Sequence, residues 1–397
     1  VINLKINKDS RISISLDLMW DEDNIKHVEN YFIRPHMWLD ADTLPKNLYE
    51  WLEGKEVGDV FEFTYDVGEL FEPYSSKNIL PIKWISEDEK NFFKIGRFYQ
   101  IETLKGREGK NSIEKPFFRC IEKRNDLFFA DFNHPLSEKR CTLKAKIIKV
   151  VEQPEVKCDT GGICFDWVSE FGEGIGMQGK FKQIETDFYS KDSFNIEDQS
   201  ESGIFYESNS SIINVDAVLK NKIGEVLENI ISDNSRILDI MGRTTPYLKN
   251  NPEIAIIGLN KEVYSINKKI SSINTKNIFK DARLPYSDNQ FDFVLCSFCF
   301  EYIPHPHELV SEVKRVLKPD GSFVTIFTNR YFKPKSILLW SELNDFERLG
   351  YLQNIYKKTN FKEISTYTSR GYLRPLSDPE AIIDRHSAPL FLIKGNK

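Results

Sequence analysis

The sequence predicts a multi-domain protein: an N-terminal α+β domain, then a C-terminal α/β domain built on a parallel sheet. Three observations predict it. First, 397 residues exceed one ordinary domain. Second, Arg11 to Leu18 alternates, with Ile12, Ile14, Leu16 and Leu18 on one face, the pattern of a half-buried strand. Third, Phe291 to Phe298 is an apolar run broken at Asp292, the pattern of a strand buried on both faces. Leu309, Val313, Val316 and Leu317 then recur at helical spacing, and Phe323 to Phe327 is a second apolar run. Strand, helix and strand in that order form a βαβ unit.

In chain order, Leu44 to Leu52 reads as a short amphipathic helix. Gly58-Asp59 turns the chain into a second alternating strand, and Leu143, Ala145, Ile147 and Val150 mark a last one. The stretches CDTGGIC and EFGEGIGMQG are dense in glycine and read as linker. Val218, Leu219, Ile223, Val226, Leu227 and Ile230 place an amphipathic helix within Asp216–Ile231. Arg236–Ile240 is the first strand of the parallel sheet, and Ala255–Leu259 is the next. Pro319-Asp320-Gly321 ends the later helix and turns the chain.

The charge balance of 54 basic against 60 acidic residues, net −6, argues against nucleic acid as a bulk partner. The 29 Phe and 16 Tyr supply ample core. No apolar run reaches the roughly 18–20 residues that span a bilayer, and no secretory leader is legible. A soluble protein of the cytoplasm or an organellar stroma is expected. Of six Cys, Cys296 and Cys299 form a CSFC that reads as two buried small residues around a strand end. A zinc site would want a second such pair, so no metal is expected. His305 and His307 flank Pro306, as a loop-to-helix connection or a general base; no catalytic residue is assigned.

The segments DARLPYSDNQFDFV and EVKRVLKPDG resemble class I S-adenosylmethionine (SAM) methyltransferases. The resemblance implies a Rossmann-like fold, SAM as cofactor, and Asp281-Ala282 at the adenine. In that family a D-x-G-x-G-x-G loop follows the first strand; here it reads Asp239-Ile240-Met241-Gly242-Arg243-Thr244-Thr245-Pro246. Met241, Arg243 and Thr245 stand where glycines let the cofactor approach the backbone. LDIMGRTTPYLK is similar to a divergent, type 11-like subgroup of bacterial and plastid lineage. Asn260 stands where an acidic residue grips the ribose, and it accepts through one oxygen only. DFYS, Phe194 and Phe205-Tyr206 resemble the N-terminal extension of the subgroup, which lids the substrate pocket; Asn214 stands where the family has His. Asn329, Arg330 and Lys335 form a polar cluster at the carboxyl end of a strand, where open α/β sheets bind ligands. The cofactor residues implied are Asp239, Met241, Gly242, Arg243, Asn260, Asp281 and Ala282, and the substrate residues are Tyr206, Asn329 and Arg330.

LEGKEVGD and DFNHPLSEKRCTLKAKIIKV resemble the FKBP-type prolyl isomerases of the SlyD kind. The resemblance implies an FKBP-like domain over residues 1–153 with a chaperone flap at about 75–128, a linker and lid-like extension over 154–204, and the methyltransferase-like domain over 205–397. Phe92, Phe93, Phe117 and Phe118 in the flap either meet unfolded protein segments or form the flap's own core. Asn47 stands where the isomerase family has Gly, and Leu70-Phe71-Glu72 or Pro73-Tyr74 where it has Ala-Tyr-Gly; Trp51 and Trp84 are the candidates for a pocket floor. Two readings follow. One is a SAM-dependent methyltransferase whose SlyD-like module presents a protein substrate. The other is an inactive pseudo-methyltransferase, with the cofactor lost, acting as a scaffold, chaperone or assembly factor for protein partners or clients. The lineage of the resemblance points to a plastid as one compartment.

Overall fold

The structure is a computed structural model that describes residues 4–7, 10–38, 44–104, 115–151, 174–200, 215–242, 247–248, 252–259 and 270–397. It forms two compact units, Val1–Glu22 with Glu29–Tyr189, and Asp23–Val28 with Ser190–Lys397.

The first unit is built on strands β1 (Arg11–Glu22), β2 (Ile25–Trp38, from Glu29 on), β3 (Val60–Tyr65) and β8 (Cys141–Val151), in the order β2-β1-β8-β3. The alternation of β1 does what it predicts: Ile12, Ile14, Leu16 and Leu18 are all fully buried. Each contributes about 1.5–3 kcal/mol of apolar burial. β1 runs antiparallel to β8 with Leu16 opposite Ala145, and β8 antiparallel to β3 with Leu143 opposite Phe63. Helix α1 (Lys46–Leu52) lays Leu48 and Leu52 on this core.

Between β3 and β8 lies a separate four-stranded sheet. It comprises β4 (Ile79–Lys83), β5 (Phe98–Gln100), β6 (Phe117–Lys123) and β7 (Leu127–Asp131), ordered β4-β7-β6-β5, with helix α2 (Glu87–Phe92) after β4. Ser86 caps α2 by accepting from the Glu89 N–H. The aromatic residues of this insert turn inward. Phe93, Phe118 and Phe128 are almost fully buried, with Phe93 and Phe128 stacked at 4.7 Å. This corrects the partner-surface reading for Phe93 and Phe118, because both fill the insert's own core. Phe117 is half-buried and Phe92 is exposed. Trp51 and Trp84 do not floor one pocket either: Trp51, in α1, packs on Phe61, whereas Trp84 stacks on Phe128 in the insert.

The described part of the glycine-rich stretch is packed and does not act as a linker. Ile175 is fully buried, and a Cβ at Gly176 would come within 2.9 Å of Leu136. Buried Glu29 accepts from the Gly176 N–H and the Gln178 amide. The CDTGGIC segment lies outside the described residues.

The second unit has strands β9 (Arg236–Ile240), β10 (Glu253–Gly258), β11 (Ile270–Thr275), β12 (Phe291–Ser297), β13 (Leu317–Phe327), β14 (Lys362–Arg370) and β15 (Leu390–Asn396). Their order is β11-β10-β9-β12-β13-β15-β14. The first five are parallel, and β15 is antiparallel to both neighbours. The helices are α3 (Ala217–Glu228), α4 (Pro306–Val316), α5 (Leu338–Glu342) and α6 (Asp345–Lys358). The predicted βαβ unit is β12-α4-β13. Pro306 occupies the first turn of α4, where its missing N–H has no intrahelical role. Pro319-Asp320-Gly321 forms a bulge early in β13, with Asp320 at φ 63°.

Candidate cofactor-binding site

The strand order reverses between β9 and β12, whose chain neighbours run off to opposite sides. Open α/β sheets bind ligands outside the carboxyl ends of the strands at such a switch point. The residues after β9 are therefore the first to consider. Asp239 is fully buried near the end of β9. Met241 and Gly242 follow, with φ of 65° and 61°. The Met241 N–H donates to the Ile257 carbonyl at 2.7 Å, and the Gly242 N–H reaches the Asp239 carbonyl at 3.4 Å. Met241 thus adopts the left-handed backbone that glycine supplies in a G-x-G loop, and buries its side chain to 1% exposure. At this one position, where the family has glycine, the chain takes a positive φ and carries a buried side chain.

Asp281 and Ala282 lie beyond β11. The Asp281 carboxylate accepts from the Arg283 N–H at 3.0 Å and pairs with the Lys276 ammonium at 2.8 Å. Hydrogen bonding to Lys276 and to the Arg283 backbone holds this exposed carboxyl below the usual range. Lys276 also donates to the Arg283 carbonyl. Asp281 is thus held ionised and oriented, with acceptor capacity left over. A shallow concavity of about 430 Å³ opens beside it, lined by Ala282, Arg283, His307, Glu308 and Ser311 among others. His305 is the residue before α4 and His307 lies in its first turn, which bears out the loop-to-helix reading. Burial, then the charge of Lys358, lowers the His307 pKa.

The Asn329–Arg330–Lys335 cluster is divided by its partners. Arg330 donates to Glu380 at 2.7 Å, and Glu380 also accepts from buried Arg374 at 2.7 Å. Lys335 instead reaches Ser200 and Asp198. Asn329 accepts from the Thr328 hydroxyl at 3.4 Å. Cys296 and Cys299 are buried with sulfurs 3.2 Å apart, and the Cys299 thiol together with burial pushes the Cys296 thiol well up. Cys296 is thus held as a thiol, and both residues pack as small apolar groups. Among the described residues no cluster suits a metal ion. Arg243, Asn260 and Tyr206 lie outside the described residues.

Sequence reasoning missed four residues. Lys276 positions Asp281, but a lysine after a strand carries no signal by itself. Glu301 is buried beyond β12 in a segment noted only for its histidines. Arg374 and Glu380 come from the connection between β14 and β15, where no periodicity points to burial.

Residues 241–325 match the Methyltransf_11 family model, a methyltransferase domain. The chain is similar to the ubiquinone/menaquinone biosynthesis C-methyltransferase UbiE of Rickettsia prowazekii (strain Madrid E), 29% identical over 120 residues, which cover 26% of this chain and 48% of the relative. It is similar also to UbiE of Pseudomonas paraeruginosa (strain DSM 24068 / PA7), 28% identical over 122 residues, covering 28% and 46%. The chain spans about half the length of the curated relatives it matches. Among solved structures it aligns with a Burkholderia thailandensis 1,6-didemethyltoxoflavin-N1-methyltransferase bound to its substrate and S-adenosylhomocysteine. That alignment has 12% identity and a TM-score of 0.34, covering 49% of this chain and 84% of that one. The C-terminal unit therefore has a Rossmann-like parallel sheet, and residues 241–325 within it are similar to a methyltransferase domain. Among the described residues no helix is long and apolar enough to cross a membrane.

Proposed function

We propose that the C-terminal unit binds SAM and transfers its methyl group, and that the N-terminal unit is a SlyD-like module that presents a protein substrate to it. One observation supports the first half: at the switch point Met241, where the family has glycine, and Gly242 after it both take positive φ. The residues fit the cofactor in that sense. The Gly242 backbone would meet its methionine end, and Asp281 with Ala282 would meet the adenine. SAM supplies an activated methyl on a sulfonium. The protein's share is positioning: Lys276 and the Arg283 N–H fix the Asp281 carboxylate before any ligand arrives. The SlyD-like half rests on LEGKEVGD, DFNHPLSEK and an insert with its own core at the flap position.

The pseudo-methyltransferase alternative has its own supporting observation, a buried methionine side chain at Met241 where the family has glycine. Titration calorimetry of the full chain with SAM and with S-adenosylhomocysteine separates the two. Micromolar binding is expected. No heat and no thermal shift at millimolar ligand would leave the scaffold reading standing alone.

A further inference from the structure

We infer that the free edge of β3 is a docking strand for an extended basic peptide segment of a partner protein. β3 ends its sheet, and among the described residues no backbone hydrogen bond reaches its outer side. The Ile147 N–H donates to the Asp59 carbonyl at 3.1 Å, and the register to β8 is unbroken from there. Antiparallel alternation therefore turns the N–H and C=O groups of Phe61, Phe63 and Tyr65 to β8. Those of Val60, Glu62 and Thr64 line the outer edge. Proteins usually blunt such an edge with charged side chains, proline or a bulge; within Val60–Tyr65 there is no proline and no register shift, and the one charged residue is Glu62.

Exposed apolar side chains stand along the edge among its polar ones. Val57, Val60, Phe63 and Val67 are each 44–57% exposed. Phe63 sits edge-on to Tyr65 at 4.8 Å and stacks toward Phe61 at 6.4 Å, so an aromatic row runs along the strand. A strand added to this edge would take main-chain hydrogen bonds for affinity and lay alternate apolar residues over Phe63.

Charge decides the occupant. Residues 44–72 hold eight acidic side chains against Lys46 and Lys55, an excess as large as the net −6 of the whole chain. Lys46, Lys144, Arg140 and Lys115 pair with Glu50, Glu62, Asp66 and Glu72. Glu53, Glu56, Asp59 and Glu69 have no cation within ion-pair distance among the described residues, and exposed Lys146 of β8 stands opposite Val60. Acid thus flanks both ends of β3. Pairing with β3 of a second copy, in either direction, would set acid against acid. A basic peptide meets complementary charge at both ends.

The probe is a synthetic peptide of about ten residues alternating lysine with valine, and its glutamate-for-lysine counterpart. The full chain is expected to bind the lysine peptide, more weakly as salt rises, with hydrogen-exchange protection appearing at the amides of Val60, Glu62 and Thr64. Glu62→Pro removes an outward donor and leaves the ladder to β8 intact; it is expected to weaken binding at least tenfold with an unchanged circular dichroism spectrum. Glu53→Gln with Glu69→Gln should flatten the salt dependence without altering the unfolding midpoint. Absence of lysine-peptide binding, equal binding of the glutamate peptide, or dimerisation through β3 would overturn the inference. Cofactor binding is not involved, so this proposal and the methyltransferase reading fail separately.

Discussion

Two residues show how a local environment sets a testable property. Met241 sits at φ 65°, where a side chain costs about 1–2 kcal/mol. Its burial is worth more, since truncating a buried methionine removes about 2–5 kcal/mol. Met241→Gly is therefore expected to lower stability by about 1–3 kcal/mol while tightening SAM binding at least tenfold, by opening the loop. Denaturant unfolding and calorimetry on one variant read both, and a loss of stability with unchanged affinity would show that the methionine lies clear of the ligand. His134 is the second case. Its ring stacks on Phe71 at 4.0 Å, its Nδ1 accepts from the Leu136 N–H, and burial lowers its pKa to about 3. The folded protein therefore resists a proton that the unfolded chain takes up near pH 6.5. That stability is intact above pH 6.5 and is lost progressively as pH falls toward 3, by a few kcal/mol in all. The unfolding midpoint of His134→Phe should depend less on pH across this window than that of the wild type. Parallel curves would remove the histidine from the account.

At the scale of elements, legibility followed periodicity. β1, β8, β9, β12 and α4 were read within a few residues because each buries one face, or both, over a regular repeat. α3 was read for the same reason, but the anchor at its start was not. Asp216 accepts from the N–H groups of Val218 and Leu219, and also from Ser387 and the Ala388 N–H, far along the chain. An aspartate before a helix signals a cap; a cap that also ties down the approach to β15 has no local signature. Asp216→Ala should cost about 2–4 kcal/mol, a helix cap plus buried donors left unmet, whereas Asp216→Asn keeps most of the cap. Chemical denaturation ranks the two, and equal losses would sink the capping account. The insert repeats the lesson. Its aromatics were legible as a cluster, but not which of them faced in, because short irregular strands impose no long repeat. Phe118→Ala should cost about 3–5 kcal/mol and open the insert to proteolysis, while exposed Phe92→Ala stays within about 1 kcal/mol.

For the whole molecule, the candidate site was legible in part. Asp281-Ala282 and the loop from Asp239 stood out in the sequence, whereas the partner of Arg330, Glu380, comes from a segment joined to it only by folding. The division into units was less legible, because residues 174–189, glycine-rich at the start, pack into the first unit instead of separating it from the second. Each unit has apolar clusters of its own, around β1 and β8 in the first and around β9, β12 and β13 in the second. Such a chain need not unfold as one cooperative step. A ligand that binds only the second unit then raises only that unit's transition, by about 2.7 kcal/mol at a hundredfold excess over its Kd. Trp340 is fully buried in the second unit, and Trp51 and Trp84 belong to the first. Versions of the chain that keep Trp340 alone, or Trp51 alone, should report different melting curves. Saturating S-adenosylhomocysteine should move the Trp340 curve upward and leave the Trp51 curve in place. A shift common to both would mean that the units unfold together, and that the cofactor stabilises the chain as one body.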